Sequence, residues 1–257
     1  MADKVIVVLS GGLDSTTALW DALHQGLQVE AVSFNYGQRH RKELEYAARV
    51  ADYWDIRHDI VDLSGLTPLL AESGSSLVSI RTDVPEGHYA EDNMKATVVP
   101  NRNMIMLSIA GGVAVARGAK AIVTGVHSGD HFIYPDCRPE FLQAVGNALA
   151  VGNEGFARWM HHPNPDIAFV SPILAPYLMS TKEDIAFRAM EIGMPLNMTW
   201  SCYKGGEVHC GKCGTCVERL EAIHGAKQRF LHTTNFEYED NTPYADENYW
   251  KEVVKNV

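Results

Sequence analysis

Basic side chains are scarce in this chain. Its 257 residues hold 22 Lys and Arg against 32 Asp and Glu, a formal net charge of −10 at pH 7. Such a surface repels a polyanion unless cations gather in one place. The densest basic cluster, QRHRK at 38–42, is diluted at once by Glu43 and Glu45, so no direct nucleic-acid partner is expected. Long hydrophobic runs are missing as well. No stretch approaches the roughly 20 apolar residues of a membrane span, and the opening MADKVIVVLSGG runs into a strand pattern instead of a signal-peptide core. The expected location is cytoplasmic. Cysteine is absent before position 137, and the total of five is odd. Four of the five crowd into 202–216, a spacing that in a reducing compartment fits metal ligation better than a disulfide framework.

What is present is enough apolar material, 46% of the residues, for one sizeable core. Apolar, β-branched runs at 4–9, 29–34, 58–63 and 121–125, and a shorter one near 167–171, read as strands. Between them lie helix-period segments near 15–25, 41–54, 103–118, 138–152 and 181–192. That alternation predicts an α/β fold, a doubly wound parallel sheet with helices on both faces. The main domain is expected over 1–200, with a small zinc-binding segment over 201–257 packed on it. Residues 64–99, rich in Ser, Gly, Pro and scattered charge, read as a long functional loop or lid.

At the end of the first strand stands SGGLDSTT, residues 10–17. In open parallel sheets ligands bind beyond the carboxyl ends of the strands. Glycines there let backbone N–H groups turn toward an anion, while Ser10, Ser15 and Thr16 add donors and the following helix presents its positive end. The plainer alternative is a glycine turn with a helix cap. Neither GxxxxGK[ST] nor GxGxxG is present. Cys202, Cys210, Cys213 and Cys216 form C-x7-C-x2-C-x2-C, with Gly211 and Gly214 for the tight turns. Four thiolates suit tetrahedral Zn²⁺ and leave no open coordination position, which points to a structural role. An iron–sulfur cluster, or a ligand set that includes His209, stays open.

The SGGLDS loop resembles that of the ATP-pyrophosphatase (PP-loop) superfamily, which joins a substrate to AMP and releases pyrophosphate. FNYGQRH (34–40), VPNRNMIML (99–107), TGVHSGDHFIYPDCRPEF (124–141), Lys182 in MSTKEDIA and the cysteine cluster extend the likeness to about residue 220. Together they resemble the 7-cyano-7-deazaguanine (preQ0) synthase family of the queuosine pathway, QueC. The resemblance implies an adenine nucleotide alpha hydrolase-like, Rossmann-like fold and a C–N ligase. ATP would activate 7-carboxy-7-deazaguanine as an acyl-adenylate, ammonia would displace AMP, and a second ATP would turn the amide into the nitrile. It also implies that Leu9, Ser10, Gly11, Gly12, Leu13, Asp14, Ser15, Thr16 and Thr17 hold ATP. Lys182 and Arg102 are the candidates for holding the pyrophosphate charge, and Asp14 for a contact to Mg²⁺.

Asp130, Tyr134, Asp136 and Arg138 are the expected substrate residues, since a carboxylate suits the donor edge of a guanine-like base and a phenol ring stacks on its face. For Asp136 a turn and capping role is nearly as good a reading. Cys137 is expected to line the site without acting as a nucleophile. Phe132-Ile133 stand where the family more often has Ser-Gly, and Asn101 where PGRN is common. Both departures are expected beside the substrate. No glutamine-hydrolysing domain is expected within 257 residues, so ammonia would come free or from a partner. A homodimer is implied by the family. The rival readings are a tRNA-modifying adenylating enzyme, an enzyme that passes the activated deazaguanine to a protein amine, and a non-catalytic nucleotide-sensing module.

Overall fold

The structure, a computed structural model, describes residues 2–79, 81–90, 94–154, 156 and 172–254. Five strands, β1 (Lys4–Val8), β2 (Gln28–Asn35), β3 (His58–Asp62), β4 (Ala121–Val123) and β5 (Ile173–Leu174), form one sheet in the order β3-β2-β1-β4-β5. Every pairing is parallel, with Val5 opposite both Val29 and Ala121, and Ile122 opposite Ile173. Parallel strands need crossovers, and helices supply them: α1 (Leu13–His24), α2 (Lys42–Tyr53), α4 (Arg102–Ala116) and α5 (Pro139–Gly152), while α6 (Lys182–Glu191) follows the last strand. Short α3 spans Thr67–Ala71. The strand expected near 167–171 lies outside the described residues.

The alternation of side chains along a strand divides the core in two. Val5 and Val7 face a layer with Leu19 of α1 and Ile185 of α6, whereas Ile6 faces Leu107 and Ala110 of α4 and Leu142 of α5. Helix α4 carries no charge after Arg102 and can therefore be packed deeply between sheet and neighbour. Sequential strands step outward from β1 through β2 to β3, and the chain then returns to place β4 on the other side of β1. The switch point of the sheet thus falls between β1 and β4, where the loops after both strands open a crevice.

Helix α7 (Gly214–Thr234) begins inside the cysteine cluster, and its Ile223 and Ala226 join the layer with α6. Arg219 of α7 is fully buried. Its guanidinium donates to Thr199 Oγ1 at 2.6 Å, to the Leu196 carbonyl at 2.8 Å and to Tyr244 Oη at 2.9 Å, tying the tail and its short α8 (Tyr249–Val254) to the body. Residues 64–99, expected as a loop or lid, are folded in their described part. Leu77, Met94 and Thr97 are buried, Arg39 N donates to the Leu77 carbonyl at 3.0 Å, and Gly87 N donates to the Lys212 carbonyl at 3.0 Å.

Candidate active site

The loop after β1 is shaped by its own side chains. Ser10 Oγ and Ser15 Oγ share a hydrogen bond of 2.9 Å, Ser10 N donates to Ser15 Oγ and Gly12 N donates to Ser10 Oγ, both at 3.1 Å. Gly11 has φ +87°, and a Cβ on it would fall 2.1 Å from the Glu43 carbonyl oxygen, so both the turn and the contact with α2 require glycine. From the other side Gly125, just past β4, lies so close that a Cβ would be 2.7 Å from Ser15 N. Helix α1 therefore points its N-terminal amides, which have no partner within the helix, into the crevice between the two loops.

Leu9, Ser10, Gly12, Leu13, Asp14 and Ser15 line this cavity, and Arg102, Asp130, Cys137 and Lys182 face it from α4, the loop after β4 and α6. Gly11, Thr16 and Thr17 do not reach it. Gly11 packs on α2. Thr16 is fully buried with an unpartnered hydroxyl, and Thr17 Oγ1 donates to the Leu13 carbonyl at 2.7 Å.

Charge is concentrated here. Lys182 opens α6 behind a Thr181–Asp184 capping box, and its Nζ lies 3.1 Å from Asp14 Oδ2 and 2.9 Å from Glu218 Oε2. Burial pushes the Asp14 carboxyl up, but the Lys182 ammonium outweighs it and holds Asp14 below the ordinary value. For Lys182 burial works downward and the carboxylates of Asp14 and Glu218 prevail, so the ammonium is strongly held. Burial wins at Glu218, whose carboxyl is raised. His127 Nδ1 accepts from Gly129 N at 3.1 Å, which leaves Nε2–H pointing at Asp14 and Asp130, 3.9 and 3.6 Å away, without a hydrogen bond. Asp130 Oδ1 accepts from Tyr89 Oη at 3.1 Å. Arg102 is half-buried, stacks over the Tyr134 ring at 5.6 Å, and has no carboxylate partner among the described residues. A guanidinium drawn partly out of water without an anion is a seat for one brought by a ligand.

Three residues expected at the substrate are engaged with neighbours outside the cavity lining. Asp136 Oδ2 accepts from Asn103 N at 3.0 Å, which caps α4 from a neighbouring turn. Tyr134 Oη pairs with Thr97 Oγ1 at 2.5 Å, and Arg138 Nε donates to the His131 carbonyl at 2.8 Å. None of the three lines the cavity. Burial raises the Cys137 thiol well above its ordinary value, which suits a lining residue and not a nucleophile. The two departures from the family pattern also lie off the cavity: Phe132 is 75% exposed and Ile133 is buried in the α4–α5 layer. Asn101 is the N-cap of α4 at φ +57°. Asparagine tolerates that left-handed conformation second only to glycine, so the exchange is one of backbone geometry.

Sequence reasoning about single residues missed the wall opposite Lys182. Tyr36, Gln38, His40 and Glu43, with Trp200 and Tyr203, close the cavity from the β2–α2 turn and the approach to the cysteines. The signal was there in FNYGQRHRKE, where polar residues follow a buried strand without a break.

Cys202, Cys210, Cys213 and Cys216 bring their sulfurs within 4.8 Å of one another, and none is in a disulfide. The Cys210 and Cys216 sulfurs are 3.9 Å apart, close to the roughly 3.8 Å edge of a tetrahedron with metal–sulfur bonds of about 2.3 Å. Lys212 N and Cys213 N both donate to Cys210 Sγ, at 3.4 and 3.3 Å, as suits a thiolate. Hydrogen bonding from Cys202 brings Cys213 down to about 7. Four thiols so placed can hold a metal ion.

The profile of a family described as queuosine biosynthesis protein QueC matches residues 4–227. A 7-cyano-7-deazaguanine synthase of Rhizobium johnstonii is 47% identical over 251 residues, 98% of this chain and 96% of that protein. One from Pseudoalteromonas atlantica is 48% identical over 223 residues, 87% of this chain and 94% of that one. Another, from Ruegeria pomeroyi, is 46% identical over 252 residues, 98% and 99% of the two chains. With a nucleotide-type crevice at the switch point and a four-thiol cluster beside it, this chain belongs to the QueC family of queuosine biosynthesis proteins.

Proposed function

We propose that this chain converts 7-carboxy-7-deazaguanine and ammonia into 7-cyano-7-deazaguanine at the expense of ATP. Membership of the family is the observation that carries the reading, and the cavity supplies what the chemistry needs. A carboxylate is a poor electrophile until one oxygen becomes part of a leaving group. The α1 amides and the loop cradle the triphosphate, and Lys182 and Arg102 take up the charge that builds on departing pyrophosphate. Asp14, kept ionised and with Oδ1 buried and unpartnered, would hold Mg²⁺, which would supply positive charge against the phosphates. Asp130 receives the donor edge of the deazaguanine, and the aromatic wall of Tyr36 and Tyr203 excludes water from the adenylate. The same seat serves twice because AMP and pyrophosphate are the groups handled in both rounds. Zn²⁺ occupies the four cysteines as a structural ion. The working form is a cytoplasmic homodimer acting on small molecules.

The test is product mass and stoichiometry. Purified protein with ATP, the acid and ammonium is expected to yield the nitrile with two AMP and two pyrophosphate for each molecule formed. Pyrophosphate release that ignores the acid overturns the reading, and a mass increment on a protein instead of a free nitrile replaces it with conjugation.

A further inference from the structure

One half-buried carboxyl in the cavity has no task in the reaction as just described. Glu43 stands in the first turn of α2 behind the glycine loop, with its Oε1 3.9 Å from the point where a Cβ on Gly12 would lie. It lines the cavity with Asp14, Arg102 and Lys182, and its side chain keeps 12% exposure. The other acids there are engaged. Lys182 lies against Asp14 and Glu218, and Asp130 holds the Tyr89 hydroxyl. No lysine or arginine pairs with Glu43 among the described residues, and its neighbour is His40, whose Nε2 lies 3.4 Å from Oε2.

His40 brings no charge, since burial and the Arg102 guanidinium push its imidazole down to about 3. Burial accordingly lifts Glu43 to about 8, with Arg102 and Lys182 opposing the rise and Asp14 adding to it. The phenols of Tyr36 and Tyr203 are the remaining titratable groups that feel its charge. A carboxyl that exchanges its proton near neutral pH and touches both cavity and solvent is suited to general-base work.

The reaction proposed above, on which this step rests, creates the need. Ammonia in neutral water is nearly all ammonium, which has no lone pair and is repelled by Lys182 and Arg102. It must be attracted, then stripped of a proton where water is excluded. We infer that Glu43 is the catalytic residue that captures ammonium in the cavity and takes its proton.

The protons and electrons balance. An ammonium N–H is donated to the Glu43 carboxylate and the proton moves to oxygen, leaving ammonia with its lone pair free. That pair forms the C–N bond at the acyl carbon, the C–O bond to AMP breaks, and the bonding pair departs on the AMP phosphate. The surplus N–H proton goes to that phosphate, and Glu43 returns its own proton to solvent. In the second round the adenylated amide sheds one proton to solvent as its O–P bond forms. Glu43 takes the remaining N–H proton, the freed pair closes the third C–N bond, and the C–O bond to AMP breaks.

Glu43→Gln keeps the shape and removes the base. Acid-dependent ATP–pyrophosphate exchange reads adenylation alone, while kcat/KM for ammonium and for hydroxylamine reads attack. Hydroxylamine is already neutral at neutral pH and needs no proton acceptor. The expected result is exchange within about threefold of wild type, a loss of about 10²-fold or more with ammonium, and a loss under about fivefold with hydroxylamine. Equal losses with both nucleophiles, or lost exchange, overturn the assignment. Wild-type protein gives a second reading that does not depend on the variant folding. If ionised Glu43 collects ammonium, kcat/KM for total ammonium levels off above about pH 8. If the rate instead climbs until ammonium itself titrates, free ammonia is the species that enters and the assignment fails. Absence of acid-dependent exchange in the wild type sinks the parent reading, an outcome distinct from either.

Discussion

Two clusters of titratable side chains lie on either side of Trp200, and they resolve their charges in opposite ways. The cavity mixes signs, with Lys182 against Asp14 and Glu218, and still leaves Asp14 Oδ1, and His127 Nε2 beside it, buried without partners. The cysteine cluster repeats one group four times, and backbone amides donate to its sulfurs. A site whose guests come and go keeps unmatched atoms for them, at some cost in stability. A site with a permanent guest is built closed.

The largest expected effect tests the closed side. Cys213→Ser, or prolonged incubation with a strong chelator, lowers Tm by roughly 10 °C or more, since metal-binding free energy in such sites is folding free energy; a calorimetric scan checks it. An unchanged Tm would erase the contrast between the two clusters. On the open side, Lys182→Met reduces acid-dependent ATP–pyrophosphate exchange about 10²- to 10³-fold, with far-ultraviolet circular dichroism at room temperature unchanged.

A smaller effect follows from Glu43. An acid whose folded pKa is raised loses stability as pH climbs from the unfolded value, about 4.3, to the folded one, about 8. Above that range the loss is complete, and below it there is none. Glu43→Gln carries no such loss, so its Tm overtakes that of the wild type at pH 9 and does not exceed it at pH 4. The smallest effect is at Asp136, which works as a helix cap: Asp136→Ala costs about 1 kcal/mol in a urea titration and leaves the KM for ATP unchanged.

The sheet was legible because β-branched runs alternate with helical periods, and the tight turn after β1 because SGGLDS sets two glycines between serines at a strand end, where Gly11 takes φ +87° and the serines pair. The cysteine spacing carried its geometry openly. Lys182, Arg102 and Asp130 converge on the cavity, although 80 positions separate Arg102 from Lys182 along the chain, because the parallel sheet brings strand ends and helix starts to one edge. Tyr134, Asp136 and Arg138, expected with them, do not line the cavity. A tight turn sends successive side chains in different directions, and no periodicity tells which one faces inward. Glu43 went unremarked because a Glu in the first turn of an amphipathic helix looks like a solvated one. Its burial depends on the glycine loop packing against it, a contact between segments that local pattern does not encode.

The peptide of Trp200 donates its N–H to the Gly11 carbonyl at 2.8 Å, and its indole Nε1 donates to the Cys202 carbonyl at 2.9 Å. One residue therefore hangs the glycine hairpin from the first thiol. Loosening that cysteine would shift Trp200 and slacken the hairpin together, so loss of whatever the four thiols hold would be felt at once in the loop after β1.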